Sequence, residues 1–317
     1  MIKRIYLKKI LVSSIALFAF FLIYFLPNNK HEFKINQELE YVSNEVITHD
    51  IYLLDKNNYL AKCKIAINSK NTEGIAKELI TALIEEEEMS DKIPSGFKAI
   101  LPSNTKILSI EYKDNLIKIN FSKDLLDTNK EMEEKVLESI IYTLTSIDGV
   151  DKVIILIEGS ILTKLPINNI TLPSSLDRSY GINKEYNINN NKNISKTTIY
   201  YINKYNDLEY YVPVTKINND SRDKIEIIID ELSNKYIDNN LNSYLNSNTK
   251  VLNSHIENNI MHINFNENIL TGFDENNILE EVIYTISLSI NDNYGIKSVF
   301  FDVNNKEIAK TTIKSLE

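Results

Sequence analysis

The chain has 317 residues, a formal net charge of −9, an apolar share of 43%, seven glycines, one cysteine and no tryptophan. This length allows about two domains with packed cores, and the acidic balance excludes nucleic-acid binding through bulk electrostatics. So few glycines leave little for phosphate-cradling loops, and neither a P-loop nor a dinucleotide fingerprint occurs.

Residues 1–9 carry Lys3, Arg4, Lys8 and Lys9, and 10–26 is apolar apart from Ser13, Ser14 and Tyr24. A helix over that stretch is roughly 25 Å long, enough to cross a bilayer core. Cations on its N-terminal side predict a cytoplasmic tip (1–9), a single-pass transmembrane anchor in the cell membrane (10–26) and an extracytoplasmic remainder. A cleaved signal peptide is the competing reading, but 25–29 offers no small-x-small cleavage site. Setting the four cations aside leaves about −13 on the exported part. Anionic envelope polymers would repel such a body, which favours a specific protein partner. Residues 27–46 are polar and mixed and read as a stalk. The lone Cys63 fits an exported domain without an internal disulfide framework.

A first unit spans 47–165. It opens with strand-like runs at 51–54 and 60–67, with Cys63 as a packed strand residue. Thr72 then caps a predicted helix whose Ile75, Leu79 and Leu83 recur at helical spacing. Glu85–Glu88 reads as its solvated end rather than a calcium loop. A hairpin over 106–112 and 116–121 alternates with period two, which predicts Leu108, Ile110, Tyr112, Ile117, Ile119 and Phe121 inward. Thr128 with Glu131 reads as a capping box for a second helix. A strand at 153–157, apolar on both faces, belongs in the middle of a sheet.

Periodicity lapses over 166–196, where Pro166, Pro173 and the asparagine-rich 187–193 predict an interdomain linker. The order of elements then repeats over 197–317. Ser103-Asn104-Thr105-Lys106-Ile107-Leu108 returns as Ser247-Asn248-Thr249-Lys250-Val251-Leu252. Ile117, Ile119 and Phe121 return as Met261, Ile263 and Phe265, and Ile141-Tyr142-Thr143 as Ile283-Tyr284-Thr285. Two tandem copies of an α+β sandwich follow, each with two helices on a mainly antiparallel sheet and each of a size that commonly folds alone.

Leu101-Pro102-Ser103-Asn104-Thr105-Lys106-Ile107-Leu108, the segment 116–121, Ile141-Tyr142-Thr143-Leu144-Thr145 and Gly149-Val150-Asp151-Lys152-Val153 with Glu158-Gly159 resemble the GerM family, whose GerMN domains occur in bacterial sporulation and germination proteins. The second copy lacks the Leu-Pro before Ser247 and has Asp302-Val303-Asn304 where the closing Gly would stand. The resemblance implies a sporulation or germination role and a domain similar to ring-building motifs of envelope complexes. Family members are often lipoproteins. Here no Cys follows the apolar run, so a spanning helix takes the place of a lipid anchor.

Catalytic chemistry finds little support. His255 and His262 fall where the first copy has Glu111 and Lys118, outward charged positions, and no third or fourth ligand shows zinc spacing. No catalytic, cofactor or metal residue is assigned. Paired carboxylates leave a wall hydrolase open, and an envelope glycan- or ligand-binding sensor is the other alternative. The favoured expectation is a non-enzymatic assembly protein with an envelope protein partner, within a ring-forming or multiprotein assembly. Its anchors would be Tyr142 and Tyr284, which project from the polar side of their helices.

Overall fold

A computed structural model describes residues 47–85, 92–234, 240–270 and 277–312. The expected cytoplasmic tip, transmembrane anchor and stalk lie outside the described residues, as do Glu86–Glu88 of the acidic run. Among the described residues no helix is long and apolar enough to cross a membrane.

The first copy opens with the antiparallel hairpin β1 (Thr48–Asp55) and β2 (Leu60–Ala66). Ile51, Leu53, Leu60 and Ile65 are buried along it, and Cys63 is a buried free thiol. Helix α1 (Thr72–Leu83) buries Ile75, Leu79 and Leu83 as the spacing predicts. It begins at Thr72 itself, with Asn71 in the cap position. After the short β3 (Phe97–Lys98) comes a second sheet in the order β4-β5-β6-β7, made of β4 (Ile107–Lys113), β5 (Leu116–Phe121), β6 (Lys152–Ile157) and β7 (Ser160–Ile161). Helix α2 (Glu133–Leu144) joins β5 to β6, which run parallel. Its entry is held by Asn129, whose Oδ1 accepts N–H bonds from Glu131 and Met132, rather than by the expected Thr128 box.

The hairpin faces inward through Ile107, Ile110, Tyr112, Ile117, Ile119 and Phe121, but Leu108 points out. A β-bulge explains the departure. Ile107 pairs with Phe121 and Ser109 with Asn120, so Leu108 is the extra residue and the alternation slips by one there. The second copy repeats the device at Leu252, between Val251 and Asn253.

The second copy has β9 (Ser195–Tyr205), β10 (Leu208–Asn218) and α3 (Lys224–Ser233), whose Asp223 caps through Ile225 N–H. It continues with β11 (Val251–Glu257), β12 (Ile260–Phe265), α4 (Glu280–Tyr294), β13 (Ser298–Val303) and β14 (Lys306–Thr312), sheet order β11-β12-β13-β14.

The copies do not each keep one sheet. Their opening hairpins join, through β2 and β10, into a common sheet in the order β3-β1-β2-β10-β9. A single hydrophobic cluster takes in Leu79 and Ile140 of the first copy with Ile228 and Ile286 of the second. Described residues from 47 onward form one compact unit. The stretch 166–196 is accordingly no free linker. Leu172, Leu176 and Ile182 are buried, and β8 (Glu185–Asn187) adds to β10 in parallel. Asn183 explains why this stretch must pack here. Its side chain bonds Leu60 N–H, Leu60 carbonyl and Pro213 carbonyl, filling the join where Pro213 offers no N–H of its own.

Candidate protein-binding surface and the seam between repeats

Helix α2 lies along the outer edge of β1. Tyr52 N–H donates to Thr143 Oγ1 at 3.0 Å, and Ser139 Oγ donates to the Tyr52 carbonyl at 2.7 Å. Helix α4 treats β9 alike, Tyr200 N–H donating to Ser289 Oγ at 2.9 Å. Hydroxyl side chains therefore satisfy strand backbone that would otherwise be a bare edge. Tyr52 matches Tyr200, so Thr143 matches Ser289, and Gly149 (φ 82°) matches Gly295 (φ 70°) just before β6 and β13. Tyr142 then corresponds to Leu288, and Tyr284 to Glu138. Aligning the two Ile-Tyr-Thr triplets slips one helix against the other by a turn.

That register corrects the expectation for Tyr142. Its ring is fully buried and meets Tyr52 edge-on at 5.3 Å, and its hydroxyl donates to the Arg178 carbonyl at 3.1 Å. It is a core residue of the seam and no surface anchor. The polar neighbours Glu138 and Lys135 face the packed 166–196 segment, not solvent: Glu138 accepts Asn183 N–H and lies 3.5 Å from Lys184. Tyr284 is half-buried, edge-on to Tyr211 at 6.1 Å, with its hydroxyl bonded to Glu280.

Across the seam, equivalent residues meet. The hydroxyls of Tyr52 and Tyr200 are 3.1 Å apart, and Asn203 Nδ2 donates to Asp55 Oδ2 at 3.0 Å. Asp55 also accepts the Tyr210 hydroxyl and the N–H groups of Asn57 and Tyr59. Arg178 closes the other end. Its guanidinium pairs with Asp292 at 2.5 Å, reaches Tyr52 Oη at 3.3 Å and lies over the Tyr142 ring at 4.8 Å from its centroid. Asp292 accepts the Tyr200 hydroxyl at 2.9 Å. Burial pushes the Tyr52, Tyr142 and Tyr200 phenols upward, with Asp292 adding to it. Burial opposes the charge of Arg178, but Asp292 and the tyrosines outweigh it and hold the guanidinium protonated. Sequence reasoning missed this residue, placing it in a linker. The one available signal was rarity, since arginine occurs only as Arg4, Arg178 and Arg222.

Tyr142 is thus drawn into the core, whereas Tyr284 keeps part of its ring accessible, and further accessible apolar surface lies on the sheet edges. Among the described residues, β4 pairs only with β5 and β11 only with β12, leaving the same edge open in each copy. Each open edge carries its bulged leucine, Leu108 47% and Leu252 52% exposed, and β11 adds Ile256 at 54%. A cavity bounded by Leu125, Val136, Leu137, Ile140 and Leu165 measures about 10 Å³, room for no more than a water.

The comparisons with known proteins follow the same two repeats. The family model described as Germane, sporulation and spore germination, matches residues 50–163 and 198–309. The spore germination protein GerM of Bacillus subtilis (strain 168) is 30% identical over 270 residues, 83% of this chain and 73% of that protein. The solved tandem GerMN domains of the sporulation protein GerM from Bacillus subtilis align with a TM-score of 0.76 at 28% identity, over 84% of this chain and 96% of that one. Paired copies of one αβ repeat, matched twice along the chain, make this protein a member of the Germane family of sporulation and spore germination proteins.

Proposed function

We propose that this member of the family is a non-enzymatic assembly protein, anchored in the cell membrane by 10–26 and working outside the cytoplasm, where it holds envelope protein partners through the open edges β4 and β11. The observation that carries the reading is the repeated open edge with its outward leucine. Selection for stability alone favours covering such an edge, whereas strand addition by a partner uses its free N–H and carbonyl groups. The joined repeats would hold both edges in one body, as an assembly platform requires.

Leu108→Cys and Leu252→Cys test the reading by thiol crosslinking in sporulating cells. Cys63 is buried and its thiol is pushed up by burial, so the introduced thiol is the reactive one. Discrete adducts with an envelope protein at both positions are expected, and none from Leu208→Cys, equally exposed at a hairpin tip. Indistinguishable labelling at all three would remove the edges from consideration. Protease added outside protoplasts should degrade the repeats, and a soluble shortened form released without detergent would contradict the anchor.

A further inference from the structure

In the β11–β12 hairpin His255 stands directly across from His262. Their imidazoles stack 4.8 Å apart and 7° from parallel, and His262 stacks in turn on Phe300 of β13 at 4.8 Å. Glu257 lies two residues beyond His255, and the period of a strand returns it to the same face. One donor atom from each of the three side chains lies within 4.8 Å of the other two. Among the described residues none of the three side chains has a hydrogen-bond or ion-pair partner. Glu257 adds a third donor that spacing along the sequence did not show, because the set is assembled across a turn.

We propose that His255, His262 and Glu257 bind a borderline divalent transition ion, zinc first, through one nitrogen of each imidazole and one carboxylate oxygen, with water completing the shell. Two imidazoles and a carboxylate suit zinc, copper or nickel, and a hard ion such as magnesium would want oxygens throughout. Zinc–ligand bonds of about 2.0–2.1 Å bring tetrahedral donor atoms to roughly 3.3 Å from one another. Each side chain must therefore move its donor atom by about 1 Å. His255 and Glu257 are exposed and turn freely, while Phe300 steadies His262 from behind. The first copy is a built-in control. Its equivalent positions hold Glu111, Lys113 and Lys118, with Glu111 across from Lys118, a set that repels a cation at two of three places.

A His-His-Phe ladder could serve cross-strand packing alone, and zinc titration separates the two roles. Calorimetric titration of the full-length chain with zinc sulfate at pH 7.5 should show one saturable site per chain. His255→Gln and His262→Gln should each weaken it at least tenfold, Glu257→Gln less, and Glu111→Gln not at all. Zinc should also raise the melting temperature of the wild type but not of His262→Gln, since binding to the folded state stabilises it. Zinc affinity retained in the His255→Gln/His262→Gln double variant would place the ion elsewhere, at His31 or His49, and overturn the site. No saturable binding by the wild type would overturn it equally, leaving only the aromatic ladder.

Discussion

At the scale of single residues, burial decides what Tyr142 and Glu138 do. Tyr142 reads as a surface residue because it lies between Glu138 and Lys135 around the helix, yet the 166–196 segment covers that side of the helix. Tyr142→Ala should cost about 3–5 kcal/mol, the range for removing a large buried ring. Tyr142→Phe, which keeps the ring and drops the hydroxyl's bonds to the Arg178 carbonyl and Thr198, should cost about 1 kcal/mol. Urea unfolding measures both, and near-zero values would return the ring to the surface. Burial raises the Glu138 carboxyl to about 7, against a lowering pull from Lys184 and the Asn183 N–H. Its unfolded value is 4.5. Below that both states hold the proton, so the group has no effect on stability. Between 4.5 and 7 the folded state keeps a proton that the unfolded state releases, so stability falls as pH rises, and above 7 the loss is complete. The shift amounts to about 3 kcal/mol. Glu138→Gln should flatten that slope, so the wild type loses stability relative to the variant between pH 4.5 and 8. Parallel pH profiles would show that Lys184 already neutralises the site.

At the scale of elements, strands were more legible than helices, for a geometric reason. A one-residue slip in a strand moves its apolar set to the wrong face, so matching Ile117, Ile119 and Phe121 to Met261, Ile263 and Phe265 fixed the hairpin register, and His255 indeed takes the place of Glu111. A helix slipped by four residues keeps its apolar face nearly unchanged, which is how Ile141-Tyr142-Thr143 came to be aligned one turn out. The bulges at Leu108 and Leu252 left no mark in the alternation, and β14 carries too little apolar character to announce itself. Since Leu108 points out, Leu108→Lys should change stability by less than about 0.5 kcal/mol. Ile119→Ala, three strand positions into the core, should cost about 2–5 kcal/mol. A core-sized loss from Leu108→Lys would mean the bulge is wrongly placed.

At the scale of the whole molecule, the join between repeats was the least legible feature, because it depends on contacts between residues far apart in sequence. Nothing local marks Arg178, Asp292, Tyr52 and Tyr200 as a group, or Asn183 as the piece that fills the join at Pro213. The pair Arg178–Asp292 is close and largely enclosed. Asp292→Asn leaves the guanidinium without its counter-charge and should cost about 3–5 kcal/mol, the range for breaking a buried pair from one side. Because the pair ties the 166–196 segment to α4, that loss should fall on both repeats together.

The central claim is that the two repeats form one cooperative body through a common sheet and core. Differential scanning calorimetry of the full-length chain tests it most directly. One transition is expected, with calorimetric and van't Hoff enthalpies in agreement, and Asp292→Asn should move that transition downward as a whole. Two resolved transitions in the wild type, only one of them shifted by Asp292→Asn, would contradict the claim and restore independent repeats on a linker.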